Sequence, residues 1–327
     1  MTKIDYNLLY LQSENARMSL KNMSQYLKKT PQRLKYSISI LEREGFIKNP
    51  YCIFDYSYFS LILFRVYFRG SYSNEKEKTK IIKKLSTNPY IISVYELTGE
   101  FDLSAEFAAP NPSKFNKEFK KIISAIPTLD NYKIILNIVT HTYPRYYLTK
   151  KESFHTFYAE RVVGGDREKE AFNKKDKAVI KNLLLNPRMR MTELAKKSQL
   201  NMKTVKSILK KFRQKNIIKG FKYTLNTEKI GINKWVLFLR LHNLNLKKEL
   251  RLMKYIFQTK EIIQLNKTVG DWDMEIYIES LDKNRVREVV MSIREEFKDI
   301  VAGFNLIEFY DQYKKSYLPM HLFIESP

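Results

Sequence analysis

Apolar positions in MKTVKSILKKFRQKN (residues 202–216) fall at Val205, Leu209 and Phe212, the i, i+4, i+7 spacing of one helical stripe. At 100° per residue these three lie within about 60° of one another, and Lys203, Lys206, Ser207 and Lys210 cluster about 150° away. The pattern predicts one helix with an apolar back and a cationic front, opened by Asn201 as N-cap. Two shorter helices precede it, KDKAVIKNLLL and TELAKKSQ, the second with Thr192 as its cap. The stretch that follows, IIKGFKYTL, alternates and turns as a small β-wing does. The start of the chain repeats this grammar. Met23 and Leu27 fall on a second helix, and Thr30 caps a third that has Pro31 at its first position, where the missing N–H costs nothing. Leu34, Ile38 and Leu41 form its stripe, and Gln32, Lys35, Tyr36 and Ser39 face outward.

Each helical triplet is followed by a different rhythm. Copy two reads KWVLFLRL (strand), KKELRLMKYIFQ (helix), IIQLNKTV (strand), the turn GDWD, MEIYIES (strand), KNRVREVVMSIREEF (helix) and FNLIEFYDQY (strand). Copy one gives the same order from SLILFRVYF to YKIILNIVTH, around the turn GEFD. The order βαββαβ describes a ferredoxin-like sandwich. Its helices cover one sheet face, and the other face needs a cover, which the second copy's sheet supplies.

The two halves are one unit written twice. Gly99 and Asp102 pair with Gly270 and Asp273 at an offset of 171, which also pairs Asp5 with Asp176, Arg17 with Arg188, Met18 with Met189 and Arg69 with Arg240. The expected organisation is a winged helix-turn-helix at 1–50, a ferredoxin-like domain at 51–149, a connector at 150–173, a second winged helix-turn-helix at 174–226 and a second ferredoxin-like domain at 227–327. Gly164-Gly165 mark the connector, and Phe154, Phe157 and Tyr158 suggest that its first half packs onto the rest.

Charge then changes the picture. The 327 residues carry 59 Lys+Arg against 35 Asp+Glu, a net charge of +24, which implies a polyanionic partner. Residues 1–48 hold 9 basic and 4 acidic groups, a net +5; residues 174–222 hold 16 and 2, a net +14. Only +5 remains for the rest of the chain, so the excess sits in the helical triplets rather than in overall composition. One cysteine, Cys52, excludes an internal disulfide framework and a multi-thiolate metal cage, and reads as an apolar filler. His141, His155, His242 and His321 share no spacing and read as surface or packing residues, so neither a metal site nor a cofactor is expected. P-loop, H-E-x-x-H, G-x-S-x-G and Rossmann patterns are absent from the sequence. The start, MTKIDYNLLY, lacks the apolar core of a signal peptide, and the longest apolar stretch, YFSLILFRVYF, contains Arg65 and is too short to span a bilayer. The expectation is a cytoplasmic protein with no membrane partner.

Three helices with a wing, then βαββαβ with Gly-x-aromatic-Asp between strands two and three: this layout resembles the Lrp/AsnC (feast/famine) family of transcription regulators, whose second domain is called the RAM domain. Asp176, the Leu194-Ala195 pair, Leu200, Val205 and Gly231 occupy positions the family pattern expects. Copy one diverges more, with Lys29 at an apolar position and no Leu-Ala pair. An Arg common in the family's recognition helix is Ile208 and Ser37 here, so sequence preference does not transfer. The resemblance implies an α+β fold in two copies and a tandem chain carrying its own pseudo-dimer. It also implies double-stranded DNA as partner and, around the two turns, a small-molecule effector such as an amino acid.

DNA contacts are expected from Lys203, Thr204, Lys206, Ser207, Lys210 and Lys211 in copy two and from Gln32, Arg33, Lys35 and Tyr36 in copy one. Effector contacts are expected at Gly99, Phe101, Asp102, Gly270, Trp272 and Asp273. The leading function is a sequence-specific regulator with no enzymatic activity, nucleoid-associated, with edge strands and helices free for contacts between chains. Two alternatives stand beside it: a non-specific nucleoid or architectural DNA binder, and an enzyme resembling sirohaem decarboxylase, which joins paired units of the same layout.

Overall fold

The computed structural model describes residues 4–324 apart from 71, 73, 152, 153 and 155–157, so His155 and Phe157 lie outside the described residues. Copy one opens with α1 (Tyr6–Glu14), α2 (Leu20–Leu27) and α3 (Pro31–Arg43), capped by the side chains of Asp5, Ser19 and Thr30. After β1 (Ile47–Phe54) come β2 (Ile62–Arg69), α4 (Glu75–Thr87), β3 (Ile91–Thr98), β4 (Leu103–Ala109), α5 (Pro112–Ala125) and β5 (Asn131–Thr142). The connector contributes β6 (Arg161–Gly164). Copy two gives α6 (Lys174–Leu185), α7 (Met191–Lys197), α8 (Met202–Gln214), β7 (Ile218–Leu225) and a one-turn α9 (Thr227–Ile230). It ends with β8 (Asn233–Leu241), α10 (Leu246–Gln258), β9 (Ile262–Val269), β10 (Met274–Ser280), α11 (Lys283–Glu296) and β11 (Val301–Lys315). The offset of 171 carries α3 onto α8, β1 onto β7, β4 onto β10 and α5 onto α11 residue for residue.

The main sheet runs β2-β4-β3-β11-β8-β10-β9-β5-β6, and β5 also pairs with β2, so eight strands close into a ring. Closure satisfies strand edges that an open sheet would leave bare. The last strand of each copy makes the join: β5 lies between β2 of its own copy and β9 of the other, and β11 between β8 and β3. Helices α4 and α5 cover one outer face through Ile82, Leu85, Phe115 and Phe119, and α10 and α11 cover the other through Leu252, Ile256, Val289 and Ile293.

Two sequence expectations change here. IIKGFKYTL forms no wing hairpin; it is the single strand β7, paired antiparallel with β1 in a ribbon that joins the two helical modules. Alternation shows that a strand is half-buried but not which strand lies beside it. Thr192 is not an N-cap, because α7 starts at Met191 behind Arg190, whose side chain makes no capping bond. The expected packing of the connector's first half is present: the Phe154 ring stacks on Tyr10 at 6.2 Å and Tyr158 meets it edge-on at 5.9 Å. Beyond that, the connector's β6 is a strand of the main sheet. Gly164 is required there, since at φ +90° a Cβ would lie 2.4 Å from the Tyr56 hydroxyl.

The ring's interior holds rings from both copies, among them Tyr67, Phe101, Phe238 and Phe309, and a buried charge cluster. Arg65 Nε donates to Glu106 Oε1 at 2.9 Å, and the same guanidinium binds Glu275 of the other copy. Glu275 also accepts from Tyr67 Oη at 2.8 Å and Asn266 Nδ2 at 2.9 Å. Burial alone would raise the Glu106 carboxyl, but Lys315 and Arg65 outweigh it and hold it at about 2. A second cluster ties the modules to the ring. Glu14 of α1, fully buried, meets Lys222 at 2.8 Å and Arg161 at 3.1 Å; Arg145 reaches Glu14 at 3.5 Å and Glu279 of β10 at 2.8 Å.

Removing one member of a buried ion pair leaves its partner uncompensated. Arg65→Met should therefore lower the unfolding free energy by about 3–5 kcal/mol in a urea melt at neutral pH; a loss below about 1 kcal/mol would mean the cluster contributes little. Glu106 and Glu279 are both held at about 2 against an ordinary 4.5, so their stabilisation is complete above about 4.5. Melts across pH should show that contribution draining away as pH falls from 4.5 toward 2.

Candidate nucleic-acid interface

Helix α8 is built as its pattern predicts. Asn201 Oδ1 accepts from the Thr204 amide at 2.8 Å and fixes the first turn. Val205, Leu209 and Phe212 are buried, joined by Ile208. Burying that back leaves Lys203, Lys206, Ser207 and Lys210 exposed, with Thr204 half-buried at the edge. Lys211 departs from the expectation. Its ammonium donates to both oxygens of Asp176, at 2.8 and 2.7 Å. Asp176 is buried and closes the capping box of α6 with Asn173, so Lys211 neutralises a core carboxylate rather than joining the cationic front.

In copy one, Gln32, Arg33, Lys35 and Tyr36 are exposed on α3 over a back of Leu34, Ile38 and Leu41. Lys29, at a position where an apolar residue was expected, makes an ion pair with Asp5, the cap of α1. The front of α3 ends in Glu42, whose Oε1 accepts from Arg188 of copy two at 2.6 Å.

The basic residues that the front-face argument missed lie in the loops. Arg17 and Arg188 are equivalent residues in the two loops that precede α2 and α7, and with Arg190 and Arg213 they border an open cleft beside α8. The pairing of Arg17 with Arg188 across the repeat was the available signal.

The two turns share one end of the ring: Lys133 Nζ lies 3.0 Å from Glu100 and 3.5 Å from Asp271. Gly99 and Gly270 have φ of +140° and +146°, which suits glycine alone. Asp102 accepts from the Gly70 amide at 2.8 Å and Asp273 from the Leu241 amide at 2.7 Å, equivalent bonds that fasten each turn. Phe101 is buried against Tyr67, with ring centroids 5.4 Å apart. Trp272 packs on Phe238 at 5.8 Å, and its indole Nε1 is buried with no hydrogen-bond partner among the described residues.

The described histidines stand apart. His141 pairs with Glu160 at 2.5 Å, His242 is exposed at the end of β8, and His321 packs on Tyr90 at 4.4 Å. Cys52 is buried among apolar side chains, which pushes its thiol pKa well up. Among the described residues no group of three or more His, Cys, Asp or Glu side chains could hold a metal ion, and no helix is long and apolar enough to cross a membrane.

The winged helix-turn-helix DNA-binding family model HTH_24 matches residues 172–219, which contain all of α8. The chain is 25% identical over 146 residues to the HTH-type transcriptional regulator FL11 of Pyrococcus horikoshii, covering 43% of this chain and 91% of the relative. It is 29% identical over 123 residues to an uncharacterized HTH-type transcriptional regulator of Pyrococcus furiosus, covering 37% of this chain and 78% of the relative. Each relative thus matches about one copy of the doubled unit. The crystal structure of the siroheme decarboxylase NirDL with an iron-uroporphyrin III analogue superposes with a TM-score of 0.58 at 12% identity, over 96% of this chain and 93% of that one, a likeness of fold that spans both copies. The chain thus carries a winged helix-turn-helix DNA-binding module at residues 172–219, is similar in sequence to HTH-type transcriptional regulators over about one copy at a time, and shares the fold of NirDL across both copies.

Proposed function

We propose that this chain is a DNA-binding transcription regulator that presents α8 and α3 to grooves of one duplex. The observation that carries the reading is the front of α8. Lys203, Lys206 and Lys210 stand exposed in a row on a helix whose back is locked into the core. Lys197, Lys211 and Lys215 nearby are bound to carboxylates; the three front lysines form no ion pair among the described residues. Phosphates are the natural counterions for such a row, and each phosphate a lysine neutralises releases condensed cations from the DNA. Lys203, Thr204 and Ser207 lie in the first half of the helix, the half that reaches base edges when such a helix enters the major groove. The relatives named as transcriptional regulators, and the DNA-binding family model over α6–α8, support the same reading.

Copy one offers Gln32, Arg33, Lys35 and Tyr36 as its counterpart, with less charge and more base-reading chemistry. A small-molecule effector at the turns, such as an amino acid, would find the Asp102 and Asp273 carboxylates already engaged by backbone amides; the indole of Trp272, which has no hydrogen-bond partner among the described residues, is the better donor. Assembly of several chains would have to use surfaces other than the strand edges consumed in closing the ring. The proposal puts the protein in the cytoplasm, with the nucleoid.

Two other readings are separated by experiment. The net +14 of residues 174–222 also suits a non-specific DNA binder. The whole-chain likeness to NirDL suits an enzyme acting on sirohaem. Against the latter, the described histidines do not converge on one site. A spectral titration with sirohaem that shows tight binding would favour the enzyme.

Fluorescence anisotropy with duplex DNA across salt concentrations should give a linear fall of log affinity with log salt. The Lys203→Gln, Lys206→Gln, Lys210→Gln triple variant should flatten that slope by about 2–3. Site selection from random DNA should yield duplexes bound at least about a thousandfold more tightly than scrambled ones; equal affinity for all sequences would make the protein architectural. Lys211→Met should instead cost about 1–3 kcal/mol of folding stability by stranding Asp176, whereas Lys206→Met should stay within about 0.5 kcal/mol of wild type in the same denaturant melt.

A further inference from the structure

The duplication lets each surface position be compared with its twin. Arg188, in the loop before α7, finds Glu42 at the end of α3; the carboxylate accepts from Arg188 at 2.6 Å and from the Tyr223 hydroxyl at 2.9 Å. The offset of 171 sends Arg188 to Arg17, Glu42 to Arg213 and Tyr223 to Cys52. On the twin side the acid is thus an arginine and the hydroxyl a buried thiol. Arg17 lies over the Phe221 ring at 4.7 Å and donates to the Met189 carbonyl, and Arg213 is exposed beside it. Burial and the proximity of Arg213 both disfavour the charged form of Arg17, so the pair is short of an anion.

The cleft at this place has a volume of about 980 Å³. Arg17, Arg190, Lys206, Lys210 and Arg213 line it, together with Arg188, whose guanidinium Glu42 already holds; among the described residues that line it, none is acidic. Lys206 and Lys210 belong to the front of α8 as well, so a duplex seated on that front passes over the cleft. Two guanidiniums in a concave wall match the bidentate geometry of phosphate oxygens. Around the twin position, Glu42 would repel a phosphate.

We propose that the cleft is a one-sided clamp for the sugar–phosphate backbone of DNA, so that the duplex is anchored on copy two while the twin position beside α3 is closed by its own ion pair. This rests on the DNA-binding reading of α8 and adds the polarity of the grip.

The test uses full-length protein and a fluorescein-labelled duplex of about 30 base pairs, roughly three helical turns. Arg213→Glu recreates at copy two the acid that copy one already carries, facing Arg17 as Glu42 faces Arg188, so the variant has a folded precedent within the same molecule. It should bind at least about tenfold more weakly near 0.15 M salt, with the log–log salt slope reduced by about 1–2. Arg17→Gln should act in the same direction, and Glu42→Arg should not weaken binding. Wild-type affinity and slope in both Arg213→Glu and Arg17→Gln would overturn the clamp even while the triple lysine variant confirms DNA binding. Failure of the wild type to bind any duplex would sink both readings together. A titration with inorganic tripolyphosphate in the absence of DNA separates the remaining case. Saturable micromolar binding that Arg213→Glu abolishes, with duplex affinity unchanged, would make the cleft a small-anion site and overturn the clamp.

Discussion

Strand β5 hydrogen-bonds to β2 of its own copy along one edge and to β9 of the other copy along the opposite edge; β11 does the same with β8 and β3. Parting the copies would bare backbone groups along both of these long strands, each costly to leave unpaired away from water. The ribbon of β1 with β7 repeats this device between the helical modules. In a dimer of separate chains such pairing would weaken on dilution. Here the partner strand is tethered to the same polypeptide, so pairing is intramolecular and independent of protein concentration. The relation between α3 and α8 is therefore a property of the folded chain.

Within that near-symmetric frame the polar residues break the symmetry. Glu14 is fully buried beneath the connector and requires Lys222 and Arg161 beside it, whereas its twin Leu185 is 63% exposed. A carboxylate so enclosed is tolerable only when paired. The connector passes over α1, and α6 lies instead against the chain's C-terminal segment around Phe323. Copy one has thus become the more enclosed module, with Glu42 and Glu44 at the end of α3. Copy two carries the exposed cationic helix. The net charges of +5 and +14 in the two helical segments are the sequence trace of this division.

Much of this was legible in the residues. Stripes at i, i+4, i+7 placed the backs of α3 and α8, and Thr30 and Asn201 marked their first turns. The constant offset gave two βαββαβ units, and the helix-covered sheets required each other as cover. What the pattern left open was adjacency. A period of two says which face of β5, β7 or β11 is buried, but nothing about the strand at its edge, so the ring closure and the ribbon in place of a wing became visible only in the fold. Lys211 shows a similar limit, since its place on the helical wheel adjoins the cationic front and only the fold reveals Asp176 beneath it. The loop arginines Arg17 and Arg190 belong to no periodic element; the repeat marks Arg17 through its twin Arg188, but their convergence on the cleft with Arg213 is a matter of adjacency that only the fold reveals.

In the reading proposed above, a single folded chain lays two helices of unequal charge on the same face of a duplex. Hydroxyl-radical footprinting of the wild-type protein on a selected duplex tests this geometry. Two protected patches are expected on one DNA face, one helical turn or a multiple apart, deeper on the copy-two side, with a spacing that does not change as protein is diluted. Protection spread evenly along the DNA, or a second patch that vanishes on dilution while the first persists, would contradict it.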